Sequence, residues 1–71
     1  MPGETITVTI NGNERQVPAG LTVDGLLDHL RIKKKTAIVE HNMKVLKQKE
    51  TPGVEVRDGD NLEIVKFVGG G

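Results

Sequence analysis

The sequence contains no cysteine, tryptophan or tyrosine, and Phe67 is its single aromatic residue. Without cysteine, the chain has neither a disulfide nor a thiol that could act as a nucleophile or a metal ligand. This composition is typical of proteins from a reducing compartment, and we expect a cytoplasmic location. Ten basic and ten acidic residues cancel to a formal net charge of zero. Because nucleic-acid binding needs a basic surface or stacked aromatic side chains, we expect no nucleic-acid partner.

Long apolar runs are also absent. No run approaches the ~20 residues that a helix needs to cross a bilayer. The first residues, Met-Pro-Gly-Glu, have neither the basic nor the apolar region of a signal peptide. We therefore expect no association with a membrane. Seventy-one residues make one small domain, and we assign residues 1–68 to this domain and residues 69–71, all glycine, to a flexible C-terminal tail.

The first half of the sequence predicts a hairpin followed by a helix. Apolar residues alternate with threonines over residues 5–10, which is typical of a strand with one buried face. Asn11-Gly12, a common tight turn, leads into a second strand over residues 14–17. The period then changes, and Thr22 is placed to cap an amphipathic helix. The apolar stripe of this helix consists of Val23, Leu26, Leu27 and Leu30.

The second half predicts three more strands. "TAIVEH" is the third strand and residues 44–46 form a short fourth strand, while "NLEIVKFV" is the last. The polar segment "KQKETPGVEV", broken by Pro52-Gly53, predicts a surface loop with one irregular turn. One helix covers only one face of a sheet. We therefore predict an α+β protein of two layers, with a mixed four- to five-stranded sheet packed on a single helix.

The strands offer one candidate docking surface. If Leu62 and Ile64 face the helix, then Val65 and Phe67 point to the uncovered face of the sheet, beside Ile38. Exposed apolar side chains near the end of the chain would form a surface for a partner protein. The opposite assignment, in which Phe67 belongs to the core, fits the alternation equally well, because a shift of one residue exchanges the two faces.

The histidines, aspartates and lysines offer few candidates for a catalytic or metal site. His29 and His41 have no partner at a metal-ligand spacing, so we expect no metal site. Asp58 and Asp60 lie in "RDGD", which has the composition of a tight turn before a strand. The run Lys33–Lys35 is typical of a solvated helix end, and the alternative is a basic spot that steers an acidic partner. We find no nucleophile–base set and no phosphate-binding loop, so the chain is not expected to be an enzyme.

The C-terminal glycines remain. Such a run is often a disordered end, but here it follows the final strand without a spacer. Gly69 and Gly70 lack a Cβ and would thread a narrow tunnel, extending with Gly71 roughly 10 Å from the domain. The terminal carboxylate of Gly71 is the one group that the tail would deliver to the active site of another enzyme. A carboxylate is a poor electrophile, so this function implies activation by ATP as an acyl-adenylate.

The order of the elements, "AIVEHN" before the fourth strand and "VRDGDNLEIVKFVGGG" at the end resemble the ThiS family. These proteins are the sulfur carriers of thiamine thiazole biosynthesis and have the ubiquitin-like β-grasp fold. The resemblance covers essentially the whole chain. It implies that a ThiF-type enzyme adenylates the Gly71 carboxylate with ATP and magnesium, and that sulfur from a cysteine desulfurase converts it to a thiocarboxylate. A ThiG-type thiazole synthase would then take up the sulfur.

The resemblance implies no permanently bound cofactor, and we expect a monomer when the carrier is free. Ile38, Val65, Phe67 and Val68 are the positions that we assign to partner docking. The turn at Asn42-Met43 lacks the Asn-Gly common in relatives. The chain also lacks the Pro-Pro pair that often precedes the di-glycine in the related MoaD family, which favours thiazole over molybdopterin synthesis. Other thiocarboxylate carriers, a ubiquitin-like protein modifier and a plain β-grasp interaction module remain alternatives.

Overall fold

The computed structural model describes residues 3–67. The strands are β1 (Thr5–Ile10), β2 (Asn13–Pro18), β3 (Ala37–His41), β4 (Lys44–Leu46) and β5 (Asn61–Lys66); the helix α1 spans Val23–His29, and 3₁₀ helices span Lys34–Thr36 and Gln48–Gly53. The strands form one sheet in the order β2-β1-β5-β3-β4. Among residues 3–67, β5 is the central strand and its pairing with β1 is the only parallel one. This confirms the predicted mixed sheet on one helix, the arrangement of the ubiquitin-like β-grasp fold.

The first hairpin turns at the predicted residues, and its turn also supports the centre of the sheet. Asn11 and Gly12 both have positive φ, 52° and 84°. The backbone pairing of β1 with β5 stops at Ile10 and Leu62. The Asn11 side chain continues it, because its Oδ1 accepts a hydrogen bond from the Ile64 N–H at 2.7 Å and its Nδ2 donates to the Ile64 carbonyl oxygen at 3.0 Å. One side chain thus takes the place of a strand residue beside β5.

A side-chain cap and a left-handed residue set the two ends of α1. The Thr22 hydroxyl accepts a hydrogen bond from the Gly25 N–H at 3.1 Å, which confirms the predicted N-cap. Arg31 has a φ of 60°, a left-handed conformation that stops the helix after Leu30. The buried stripe of α1 packs on the inner face of the sheet. The core contains Val8, Ile10, Val17, Val23, Leu26, Leu27, Ala37, Val39, Leu46, Val56, Leu62 and Ile64.

The segment after β4 is more ordered than the sequence predicts. It forms the 3₁₀ helix Gln48–Gly53, in which Thr51 is buried and its hydroxyl donates to the Gln48 carbonyl oxygen at 2.9 Å. Val56 follows it into the core, and Glu55 bridges to Thr22. The prediction of a surface loop was therefore wrong at these residues. A short segment with mostly polar residues gives no clear apolar periodicity, so its burial could not be read from the sequence.

A hydrogen-bonded cluster ties the β3–β4 turn to the start of β5. The Asp60 carboxylate accepts from the His41 Nε2 at 2.7 Å, the Asn42 Nδ2 at 3.1 Å and the Arg57 N–H at 2.9 Å. Burial of this carboxyl opposes ionisation, but these hydrogen bonds outweigh burial, so the pKa of Asp60 lies below its ordinary value of 3.8. The predicted role of "RDGD" as a structural turn is confirmed.

The Asp60 cluster gives the free energy of unfolding a defined pH dependence. A carboxyl whose pKa is lower in the folded than in the unfolded state stabilises the fold above the unfolded pKa and loses this contribution as the pH falls through the folded pKa. We therefore expect the stability to fall below about pH 4. The Asp60→Asn variant should be less stable near neutral pH and should show a weaker fall. Urea denaturation of both proteins between about pH 7 and about pH 3 gives the free energy of unfolding at each pH. The prediction is wrong if this free energy falls equally with pH in both proteins.

The β3–β4 turn stores backbone strain. Asn42 and Met43 have φ of 49° and 73°, the two left-handed residues of a type I′ turn. Asparagine tolerates this conformation. For methionine the left-handed conformation is unfavourable and lowers the free energy of unfolding by roughly 1–2 kcal/mol. Met43 is also 89% exposed, so its side chain gains little from packing. The turn that the sequence left open is thus a tight two-residue turn with an unfavourable residue at its second position.

The Met43→Gly variant should therefore be more stable than the original chain. Glycine relieves the backbone strain, but it also loses more conformational entropy when the chain folds. The net increase in the free energy of unfolding is up to about 1 kcal/mol. Met43→Ala is the matched control, since it removes the side chain but keeps the Cβ that causes the strain. Urea denaturation should show a higher free energy of unfolding for Met43→Gly and no increase for Met43→Ala. An equal gain for alanine would mean that the methionine side chain, and not the backbone, is responsible.

Candidate functional site

The outer face of the sheet, opposite α1, carries exposed apolar side chains. Leu62 and Ile64 of β5 are buried beneath the helix, and the intervening residues point away from it. Val65 lies directly opposite Ile38 of β3. The exposed fractions are 48% for Ile38, 58% for Val65 and 46% for Phe67. The face assignment that places these three residues outside is confirmed, and the alternative that puts Phe67 in the core is wrong.

Val45 extends this surface, although it is not among the docking residues predicted from the sequence. Val45 is 57% exposed, and it lies in β4 opposite Glu40, diagonal to Ile38. The burial of Leu46 fixes the outward direction of its neighbour Val45. The alternation in "KVL" was the available signal. We call the set Ile38, Val45, Val65 and Phe67 the outer patch.

The outer patch reaches the last residue that the structure describes. The N–H of Phe67 donates to the carbonyl oxygen of Thr36, the residue before β3, at 2.9 Å, so the chain is still bonded to its neighbour in the sheet at this point. The predicted docking residue Val68 and the predicted tail residues Gly69, Gly70 and Gly71 lie outside the described residues. Their roles and the domain boundary after residue 68 stay predictions. The described surface thus brings three of the predicted docking residues together at the point where the tail begins.

A pair of glutamates borders the outer patch. Glu40 of β3 and Glu63 of β5 are direct cross-strand partners, and both are exposed. Each lies two residues from a patch residue on the same strand face, Ile38 in β3 and Val65 in β5. The outer face therefore combines an apolar area with a concentrated negative charge.

The lysine run does not form the end of α1, contrary to the prediction. Arg31 breaks the helix, and Lys34 and Lys35 belong to the separate 3₁₀ helix Lys34–Thr36. The Lys34 Nζ lies 3.1 Å from Oδ1 of Asp24 in the first turn of α1. Lys34 therefore has a structural partner, and Lys33 and Lys35 are exposed.

The two histidines differ in their surroundings. His41 pairs with Asp60 as described above, and His29 is exposed at the last turn of α1. Among residues 3–67, no three His, Asp or Glu side chains are grouped as metal ligands. The same part of the chain has no pocket and no helix that is long and apolar enough to cross a membrane. The candidate site is therefore the outer face of the sheet and the chain that continues from it.

Known proteins resemble this chain over most of its length. The sequence profile of the ThiS family matches residues 5–71, which include the C-terminal glycines. The chain is 42% identical over 64 residues to a thiazole synthase of Paramagnetospirillum magneticum, covering 90% of this chain and 20% of that protein. A thiazole synthase of Magnetococcus marinus is 33% identical with the same coverage. The chain thus spans about a fifth of the length of these two relatives.

Smaller relatives match over most of their length. The sulfur carrier protein ThiS of Bacillus subtilis is 40% identical over 50 residues, covering 70% of this chain and 76% of that protein. The crystal structure of the thiamine biosynthesis protein ThiS from Geobacter metallireducens superposes with a TM-score of 0.79 at 33% identity, covering 93% of this chain and 100% of that chain. The family profile, the similarity to these carriers and the shared fold agree, and the chain belongs to the ThiS family.

Proposed function

We propose that this chain is a sulfur carrier of thiamine biosynthesis, which bears sulfur as a thiocarboxylate on Gly71. The observation that carries the proposal is the match of the ThiS family through the C-terminal glycines to residue 71. The chain acts as a co-substrate: its own residues supply the group that is modified and the surface that is recognised, and the partner enzymes supply the catalysis.

The chemistry requires two steps at one carbonyl carbon. A carboxylate oxygen of Gly71 attacks the α-phosphorus of ATP, pyrophosphate leaves, and the acyl-adenylate forms on a ThiF-type enzyme with magnesium. A sulfur nucleophile at the oxidation level of sulfide then attacks the carbonyl carbon, and AMP leaves with one of the original oxygens. The desulfurase takes this sulfur from cysteine as a protein-bound persulfide, and a thiol reductant supplies the two electrons that bring it to the oxidation level of sulfide. The product is the Gly71 thiocarboxylate.

The acceptor in this proposal is a ThiG-type thiazole synthase. Two proteins named thiazole synthase contain a segment that is similar to nearly all of this chain. This similarity supports a functional link between a carrier of this type and the synthase. The relatives therefore favour thiazole synthesis over the molybdopterin pathway as the destination of the sulfur.

The outer patch is the proposed docking surface for these enzymes. Its apolar side chains are half exposed, and a partner that covers them gains roughly 25 cal/mol for each Å² removed from water. Phe67 lies at the point where the tail begins, so a partner bound there is placed to receive Val68 and the glycines. Gly69 and Gly70 let the chain pass through a narrow passage, and Gly71 presents the reacting carboxyl group.

Complementation tests this function in cells. The chain should restore thiamine-independent growth to a bacterium that lacks its own ThiS. The same chain without Gly71 should not restore growth, although its domain is unchanged. Equal growth with and without Gly71 would contradict the proposal, because the reacting group would then lie elsewhere. Accumulation of the chain on lysines of other proteins would support a protein modifier instead.

A further inference from the structure

Glu40 and Glu63 form a like-charged pair on the outer face. They are direct cross-strand partners in the pairing of β3 with β5, and both side chains are exposed. Within residues 3–67, neither carboxylate has a hydrogen-bond or ion-pair partner. Like charges directly opposite each other in an antiparallel pair repel and destabilise the sheet. The fold alone gains nothing from this arrangement.

The pair lies where a partner would cover it. Ile38 is two residues from Glu40 on the same face of β3, and Val65 is two residues from Glu63 on the same face of β5. Val45 lies directly opposite Glu40 in β4. The two carboxylates are therefore surrounded on two sides by the outer patch. A protein that buries the patch must also remove these carboxylates from water.

Removing two like charges from water is costly unless the partner supplies the opposite charge. A guanidinium group matches this geometry, since its planar fork donates to two carboxylates at once. A second copy of this chain does not match it, because a symmetric contact centred on the pair would bring four carboxylates together. The charge of the outer face therefore selects a different protein with a basic residue next to an apolar surface.

We infer that the thiazole synthase that docks on the outer patch places a basic side chain, an arginine by its geometry, between Glu40 and Glu63. The inference rests on the proposed function and adds the chemistry of the contact. The pair lowers the stability of the free carrier and strengthens its complex. It also fixes the orientation of the partner along β5, so that the tail enters the active site.

The test uses the full chain and the thiazole synthase of the same organism. Glu40→Gln and Glu63→Gln should each raise the Tm of the free carrier by about 2–5 °C, because each removes the repulsion. The same variants should bind the synthase about tenfold more weakly and with a smaller dependence on salt. Glu63→Lys should stabilise the carrier further, through an ion pair with Glu40, and weaken binding more than glutamine does.

Glu14→Gln is the matched control. Glu14 is exposed on the outer face of β2, two strands away from β5, and the change removes the same charge. It should leave binding within about twofold of the original chain, since rim charges far from the contact are largely screened. If the control weakens binding as much as Glu63→Gln, a general charge effect replaces the specific contact and the inference is wrong.

The remaining outcomes separate the inference from the proposed function. If the original chain binds the synthase and Glu40→Gln, Glu63→Gln and Glu63→Lys bind as tightly, the contact is wrong and the carrier function stands. If the original chain does not bind the synthase at all, the proposed acceptor is wrong and the inference fails with it. A loss of binding together with a lower Tm would also overturn the inference, because the glutamates would then support the fold.

Discussion

The Gly70→Val variant should lose thiocarboxylate formation by about 100-fold or more while the free energy of unfolding stays unchanged. A valine at this position adds a branched side chain to a segment that, in the proposed function, passes through a narrow passage in the adenylating enzyme. Displacement of a reacting group by about 1 Å is enough for a loss of this size. The measurement is the rate of ATP-dependent thiocarboxylate formation with a ThiF-type enzyme and a sulfur donor.

Gly53→Val provides the matched control for this substitution. Gly53 is exposed, and a Cβ there meets no atom within 4 Å, so the same substitution starts from open space at this position. We expect this variant to form the thiocarboxylate at nearly the original rate. Normal conversion of Gly70→Val would show that the tail is not threaded, and the glycines would then be a spacer without a steric role.

The double variant Ile38→Ser and Val65→Ser should bind the two partners of the proposed function, the ThiF-type enzyme and the thiazole synthase, about 30-fold more weakly. The two side chains are about half exposed in the free chain. Their transfer into an interface therefore contributes roughly 1 kcal/mol each. Because the two residues are direct partners on the outer face, they lose contact with the same part of the partner. Isothermal titration calorimetry with each enzyme measures the change in Kd.

Thr5→Ser is the control for this surface. Thr5 is exposed on the outer face of β1, on the far side of β5 from Ile38. It should leave both affinities unchanged, and urea denaturation should show that the double variant is still folded. If the double variant binds as tightly as the original chain, the outer patch is not the docking surface.

The sequence predicted the elements whose chemistry is local. The alternation of apolar and polar residues predicted β1 and β5. Asn11-Gly12 predicted the first turn, and Thr22 predicted the start of α1. Residue alternation alone left the two faces of β5 open, because a shift of one residue exchanges them. Pairing with β3 decided between them: it places Val65 opposite Ile38 and leaves both exposed.

Features that depend on contacts between distant segments were not visible in the sequence. Thr51 is buried in the 3₁₀ helix that contacts α1, and Val56 is buried in the core that α1 and the sheet share. The end of α1 depends on the left-handed conformation of Arg31, a residue type without a strong preference for it. The opposition of Glu40 and Glu63 follows from the register of β3 and β5, which no local pattern specifies.

The C-terminal site was predicted mainly from the resemblance to the ThiS family, because the residues alone left its function open. Glycines after a strand are compatible with a disordered end, and only their position after "NLEIVKF" in a β-grasp pattern indicates a carrier. The family match and the similar structures confirm the family and the fold. The reactions at Gly71 stay a proposal, because Val68 to Gly71 lie outside the described residues.

The intact mass of the chain after incubation with a ThiF-type enzyme, ATP, magnesium, cysteine, a desulfurase and a thiol reductant tests the central claim most directly. The account predicts a gain equal to the replacement of one oxygen by sulfur, located at Gly71 by fragmentation. The gain should require ATP and should be absent when Gly71 is deleted. An unchanged mass under these conditions, or a sulfur located at any other residue, would contradict the account.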